Sequence, residues 1–135
     1  MTLLDDIGGD DGLHALVNRF YDLVETLPEG AKLRQLHGRG HGIAHARVEQ
    51  VDFMSGFMGG RQHYRERHGH MDVKRIHAHV PIRVADAENW LACMDQALTA
   101  ENHDGPQIDR LRATLRRVAL ILVNDVPDWE DIGTR

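Results

Sequence analysis

The chain has a single cysteine among 135 residues, so no internal disulfide can form and a reducing compartment fits. Cys93 stands among Leu91, Met94 and Ala97, the setting of a buried thiol acting as a small apolar filler. Aromatics make up only 5% of the residues, too few for the core of a typical β-sandwich. A surplus of positive charge is missing as well. Lys and Arg number 16 against 21 Asp and Glu, a net charge of −5, which argues against a nucleic-acid partner. A basic stretch at residues 61–67 is outweighed by acidic residues elsewhere. No apolar run approaches the ~20 residues of a membrane helix. Met1-Thr-Leu-Leu-Asp-Asp has neither the basic nor the apolar part of a signal peptide. A cytoplasmic protein without membrane contact is expected.

What is present is helical patterning over one domain, residues 1–135. Leu13, Leu16, Val17, Phe20, Leu23 and Val24 recur at three and four, with Asp10 and Asp11 able to cap that helix. Pro28-Glu-Gly30 stops it, and a short turn through Leu33 and Leu36 follows. Gly38-Arg-Gly40-His-Gly42 reads as a loop. Residues 43–58 form a helix carrying Val48, Val51, Phe53, Met54 and Phe57, closed by Gly59-Gly60. Short helices follow at 62–68, ended by Gly69, and at 72–79, stopped by Pro81. Residues 86–99 are helical, with Trp90, Met94, Ala97 and Leu98 on one side. Gly105-Pro106 opens a last helix with Ile108, Leu111, Leu115, Val118 and Leu122 on its stripe. The tail from about Pro127 is expected to fray. No segment alternates convincingly at period two, and the fold class is all-α.

Ten histidines exceed what packing requires. His37, His41 and His45 step by four and would share one face of a continuous helix, as metal ligands do, although glycines interrupt the run. His63, His68 and His70 flank a glycine turn and suit local hydrogen bonds, whereas His14 and His103 read as surface positions. His77 differs in context. It lies three residues past Lys74 and four before Pro81, so the chain is constrained on both sides of the imidazole. A lone tyrosine such as Tyr21, or a tryptophan such as Trp90, reads first as a core residue.

Several motifs in order carry a resemblance. Phe20-Tyr21, then Phe53…Gly59-Gly60…Tyr64…His68-Gly69-His70, then His77 before Val80-Pro81-Ile82, then Trp90-Leu-Ala-Cys-Met resemble the group II truncated haemoglobins from about Leu13 to Asn124. The resemblance implies a two-over-two helical sandwich around haem b, with His77 as the iron ligand. It places the Tyr21 hydroxyl towards the bound ligand and Trp90 beside it. His37 falls on a corner position, Ala46 on a small distal position and Gln50 one turn later. Phe53, Tyr64 and Ala46 fall where the cofactor is lined. Ile76 replaces the family's Arg before the proximal histidine, leaving Lys74 and Arg75 to meet a propionate. His79 replaces a common proline, which implies a looser proximal loop.

Several donors around one ligand imply slow release. The resemblance therefore implies redox chemistry or sensing with dioxygen, nitric oxide, carbon monoxide or peroxide as ligands, rather than oxygen transport. Nitric oxide dioxygenase and peroxidase-like turnover are both open. No flavin or nicotinamide fingerprint is present, so an external electron donor is implied, and the family suggests a homodimer. Two alternatives stay open at this point. His37, His41 or His45 could take the iron's sixth position, or the chain could be a non-haem, His-rich helical module that binds a metal or a partner.

Overall fold

The computed structural model describes residues 2–38 and 42–127. The tail from residue 128, where fraying is expected, and residues 39–41 of the glycine loop lie outside the described residues. The elements are α1 (Leu3–Asp6), α2 (Gly9–Thr26), a 3-10 turn (Pro28–Gly30), α3 (Ala31–Gly38), α4 (Ile43–Phe57), α5 (His63–His68), α6 (Val73–Ile76), α7 (Val84–Ala100) and α8 (Pro106–Ile121). Helix α2 packs on both α4 and α7, and α7 packs on α8. Two helix pairs, α2 with α4 and α7 with α8, thus make the body of the fold.

The apolar stripe of α2 goes where its period sends it. Leu13, Leu16, Val17, Phe20, Tyr21 and Val24 are all buried, and Leu23 is partly so. Each such burial is worth roughly 1.5–3 kcal/mol. The N-cap is Gly8 in a left-handed conformation, not Asp10 or Asp11, which instead occupy the first turn. There their carboxylates still complement the positive end of the helix. Before it, α1 is a single turn closed by a Thr2–Asp5 capping box. Four residues are too few for a periodic signal.

Where a short turn was expected after Gly30, α3 runs for eight residues. Arg34 holds it in place by donating from Nη1 to the carbonyls of Val24 at 2.6 Å and Leu27 at 3.2 Å, at the end of α2. Gly30 allows the approach: a Cβ there would lie 1.9 Å from the Val24 carbonyl oxygen.

Helix α4 ends as expected, with Gly59 left-handed at φ 92°. Its apolar face departs from the sequence reading, because Val48 is 57% exposed while Ile43, Ala46, Val51 and Phe57 pack on the core and Met54 is buried. The basic stretch at 61–67 is largely neutralised: Arg67 pairs with Glu49 and Asp52, and Arg61 with Glu66. Helix α6 is one turn, shorter than the expected 72–79. Asp72 caps it by accepting from the Arg75 amide, and His77 already closes it, ahead of Pro81. Helix α7 begins at Val84, two residues early, because the Asp86 carboxylate accepts from the Arg83 amide at 2.8 Å. In α8 the buried residues are Ile108, Leu111, Leu115 and Ala119, with Val118 half-buried. Cys93 is fully buried, and that burial raises its thiol pKa. No helix among the described residues is long and apolar enough to cross a membrane.

Candidate functional site

Four rings from three helices form a continuous chain, buried at Phe20 and Tyr21 and half-buried at Trp90 and His37. Trp90 of α7 lies 5.1 Å from Phe20, Phe20 meets Tyr21 edge-on at 4.8 Å, and Tyr21 meets His37 of α3 edge-on at 5.6 Å. Tyr21 is 2% exposed. Burial pushes its phenol well above the ordinary range, with the Arg47 charge acting weakly the other way. The group is therefore a neutral donor at any physiological pH. Among the described residues, neither the Tyr21 hydroxyl nor the Trp90 indole nitrogen has a hydrogen-bond partner, and neither does the half-buried Gln50 amide.

His77 is placed by α6. Its Nδ1 lies 2.8 Å from the Val73 carbonyl oxygen, which can only accept, so Nδ1 carries the proton and Nε2 keeps its lone pair. Burial lowers the pKa of this imidazole; the Val73 contact opposes that, and the nearby His37 and His79 add to it. A neutral imidazole with one nitrogen oriented by a carbonyl and the other free is the form that ligates a metal. His37 is also oriented from its own helix, with Nδ1 2.7 Å from the Leu33 carbonyl. Its Nε2 is then an acceptor in the neutral ring and becomes a donor only on protonation.

Around this centre the expected residues divide. Ala46 is partly buried against the core. Phe53 and Tyr64 belong to a second ring cluster at the α4–α5 junction, where Phe53 lies 5.5 Å from Tyr64 and Tyr64 lies 4.3 Å from His68. No ring contact joins this cluster to the Trp90–His37 chain among the described residues. Lys74 and Arg75 are exposed and have no ion-pair partner among them. Of the neighbouring histidines, His68 bonds Glu49 at 3.0 Å and His70 accepts from the Asp72 amide at 3.1 Å. No group of three His, Cys, Asp or Glu suited to a metal ion occurs among the described residues, and His41, the middle of the expected triplet, lies outside them.

Sequence reasoning missed what holds the loop after His77. Asn124, beyond α8, donates from Nδ2 to the Val80 carbonyl at 2.9 Å and accepts at Oδ1 from the Ile82 amide at 3.2 Å. Its own amide donates to the Ile82 carbonyl at 2.9 Å. Arg83 donates to the carbonyls of Asn124 at 2.9 Å and Val126 at 2.7 Å. These bonds tie residues 80–83 to the stretch after α8, next to the position where His79 replaces a common proline. Residues 80–83 and 124–126 have no period or motif to reveal the pairing.

The comparisons with known proteins bear on the family and the fold. The sequence model of the bacterial-like globin family matches residues 2–124. The group 2 truncated hemoglobin YjbI of Bacillus subtilis (strain 168) is 28% identical over 116 residues, 86% of this chain and 84% of that protein. The group II 2-on-2 hemoglobin from the plant pathogen Agrobacterium tumefaciens superposes with a TM-score of 0.85 at 33% identity, covering 92% of this chain and 95% of that one. The truncated oxygen-avid haemoglobin from Bacillus subtilis does so with a TM-score of 0.82 at 27% identity, covering 92% of this chain and 100% of its own. With its two helix pairs, its ring chain and His77 at the end of α6, this chain belongs to the bacterial-like globins and is a group II truncated haemoglobin with the two-over-two helical fold.

Proposed function

We propose that the chain binds haem b through His77 Nε2 and holds a small diatomic ligand or peroxide beneath Tyr21, Trp90 and Gln50. The observation that carries this reading is the His77 ring: the Val73 carbonyl lies 2.8 Å from Nδ1, so Nε2 keeps its lone pair, in a chain of the bacterial-like globin family. The donor set fits haem: one neutral imidazole, apolar and aromatic side chains, and exposed cations beside the ligating histidine that have no ion pair among the described residues.

Haem, when bound, supplies an iron with an open coordination position and one-electron redox chemistry. The protein's part follows from its residues. The Val73 carbonyl fixes the His77 ring and raises its basicity as a ligand. Lys74 and Arg75, exposed beside His77, suit the propionates. Phe53, Tyr64 and Ala46 supply wall. Tyr21 and Trp90 donate from fixed positions in a dry interior, where such donors stabilise negative charge developing on a ligand far better than water does. His37 adds a donor only when protonated.

Strong donation slows ligand release, which favours redox chemistry or sensing over transport, and the similarity to a haemoglobin described as oxygen-avid points the same way. Reaction of dioxygen with nitric oxide and turnover of peroxide are the two chemistries that suit this pocket, and both draw electrons from an external donor. The test is an optical spectrum of the haem-loaded protein, ferric, reduced and with carbon monoxide, beside His77→Ala. Histidine-ligated haem bands that vanish or change in the variant are expected. No haem uptake by the wild type, or an unchanged variant, overturns the reading. A low-spin, six-coordinate ferrous spectrum without added ligand would assign the sixth position to a distal histidine instead.

A further inference from the structure

Arg47 stands one residue past Ala46 on α4 and reaches across to α2. Its Nη1 donates to the Asn18 carbonyl at 3.1 Å and to Asn18 Oδ1 at 3.2 Å, while Nη2 donates to Asp22 Oδ1 at 2.9 Å. Glu25 lies 3.8 Å from the same nitrogen. Asn18, Asp22 and Glu25 step by four and three along one ridge of α2, and that ridge flanks Tyr21. The guanidinium carbon itself is 5.7 Å from the centre of the Tyr21 ring. Tyr21 thus has three neighbours: Arg47, Phe20 at 4.8 Å and His37 at 5.6 Å.

This end of α4 needs a tie. Its N-cap is Gly42, which offers no side-chain hydrogen bond to the first turn, and Ile43 and Ala46 are only partly buried. An isolated exposed ion pair would contribute little. Arg47 differs because its side chain is only 23% exposed and its flat fork engages a carbonyl, an amide oxygen and a carboxylate together. Lysine could keep the charge but not that geometry.

We propose that Arg47 is a positioning residue for the distal side of the pocket: by bridging Asn18 and Asp22 it sets the spacing between α2 and α4 and holds the Tyr21 hydroxyl towards the ligand. Its positive charge acts on the buried phenol against the effect of burial, which makes the hydroxyl a better donor. The inference rests on the haem-binding reading above and adds to it a residue that touches neither haem nor ligand.

The test uses the full chain, with haem and without it. In the carbonmonoxy form the C–O stretching band reports the donor facing the ligand. Arg47→Gln is expected to move this band towards that of Tyr21→Phe and to speed oxygen dissociation by about tenfold, the scale of one lost hydrogen bond. Arg47→Lys should do the same in part. Adding Arg47→Gln to Tyr21→Phe should change little further, because both act through one hydroxyl. Asp22→Asn, a milder change, should move the band in the same direction and covers the case in which Arg47→Gln folds poorly. A wild-type band and rate in Arg47→Gln, or its full effect in the Tyr21→Phe background, overturns the proposal. So does lowered thermal stability with no movement of the band, the mark of a merely structural tie. In haem-free protein, Arg47→Gln should speed amide exchange along residues 47–54 of α4, and unchanged exchange rejects the latch. That arm judges Arg47 even if the wild type takes up no haem, the outcome that would sink the haem reading itself.

Discussion

His37 and His77 make the same contact from the ends of two different helices: each ring Nδ1 faces the carbonyl four residues earlier, at 2.7 Å to Leu33 and 2.8 Å to Val73. In the neutral ring each therefore leaves Nε2 as the acceptor nitrogen. The two rings also sense one another, because His37 is among the groups that depress the His77 imidazole.

A pH dependence follows from His77. Burial, chiefly, holds its pKa below the ordinary 6.5, so the unfolded chain takes up this proton more readily than the folded one. Its contribution to stability is full above about pH 6.5 and is lost as pH falls towards the folded value. Thermal unfolding of haem-free protein between pH 7 and pH 5 should therefore fall less steeply for His77→Gln than for the wild type. Parallel slopes would mean that the imidazole titrates as freely in the fold as out of it.

Tyr21→Phe separates stability from function. The hydroxyl makes no hydrogen bond among the described residues and is not sealed from solvent, so removing it should leave haem-free stability within about 0.5 kcal/mol of the wild type. Oxygen release from the haem-loaded variant should be at least about tenfold faster. Urea unfolding and stopped-flow dissociation check the two halves. A stability loss of more than about 1 kcal/mol would reveal a partner for the hydroxyl inside the protein.

Asn124 tests the loop after His77. Asn124→Ala removes the bonds to Val80 and Ile82 and leaves their main-chain groups unpaired, which should cost about 1–3 kcal/mol. Haem-free amide exchange at residues 80–83 should accelerate more than in α8. Uniform acceleration would assign the residue a global rather than a local role.

Two glycines should respond in opposite senses. Gly30→Ala forces a Cβ to within 1.9 Å of the Val24 carbonyl, a backbone atom that cannot swing aside. It should destabilise by about 3 kcal/mol or more and displace α3, which carries His37. Gly38, in the last turn of α3, has no atom of the described residues within 4 Å of where a methyl group would sit, so Gly38→Ala should stabilise by about 0.4–1 kcal/mol. Chemical denaturation of both variants decides, and equal effects would contradict the packing at Gly30.

The sequence by itself determined the features whose energy is local. The stripe of α2, the glycine stops at Gly59 and Gly69, the Gly105-Pro106 start of α8 and the halt before Pro81 are each decided within a turn or two of chain. So is the ordered set of Tyr21, His77 and Trp90 that carries the resemblance. Local signals fell short where elements were brief, as with α1 and the second turn of α3, and where burial depended on a neighbour, as with the exposed Val48. The tertiary structure alone decided which polar groups meet across the fold. Arg47 finds Asn18 at a separation of 29 residues, and Asn124 finds Val80 at a separation of 44. Those pairings, together with the Trp90–Phe20–Tyr21–His37 chain, exist only once the helices have packed, since a side chain's partner is set by the direction of the element opposite and not by any period of its own.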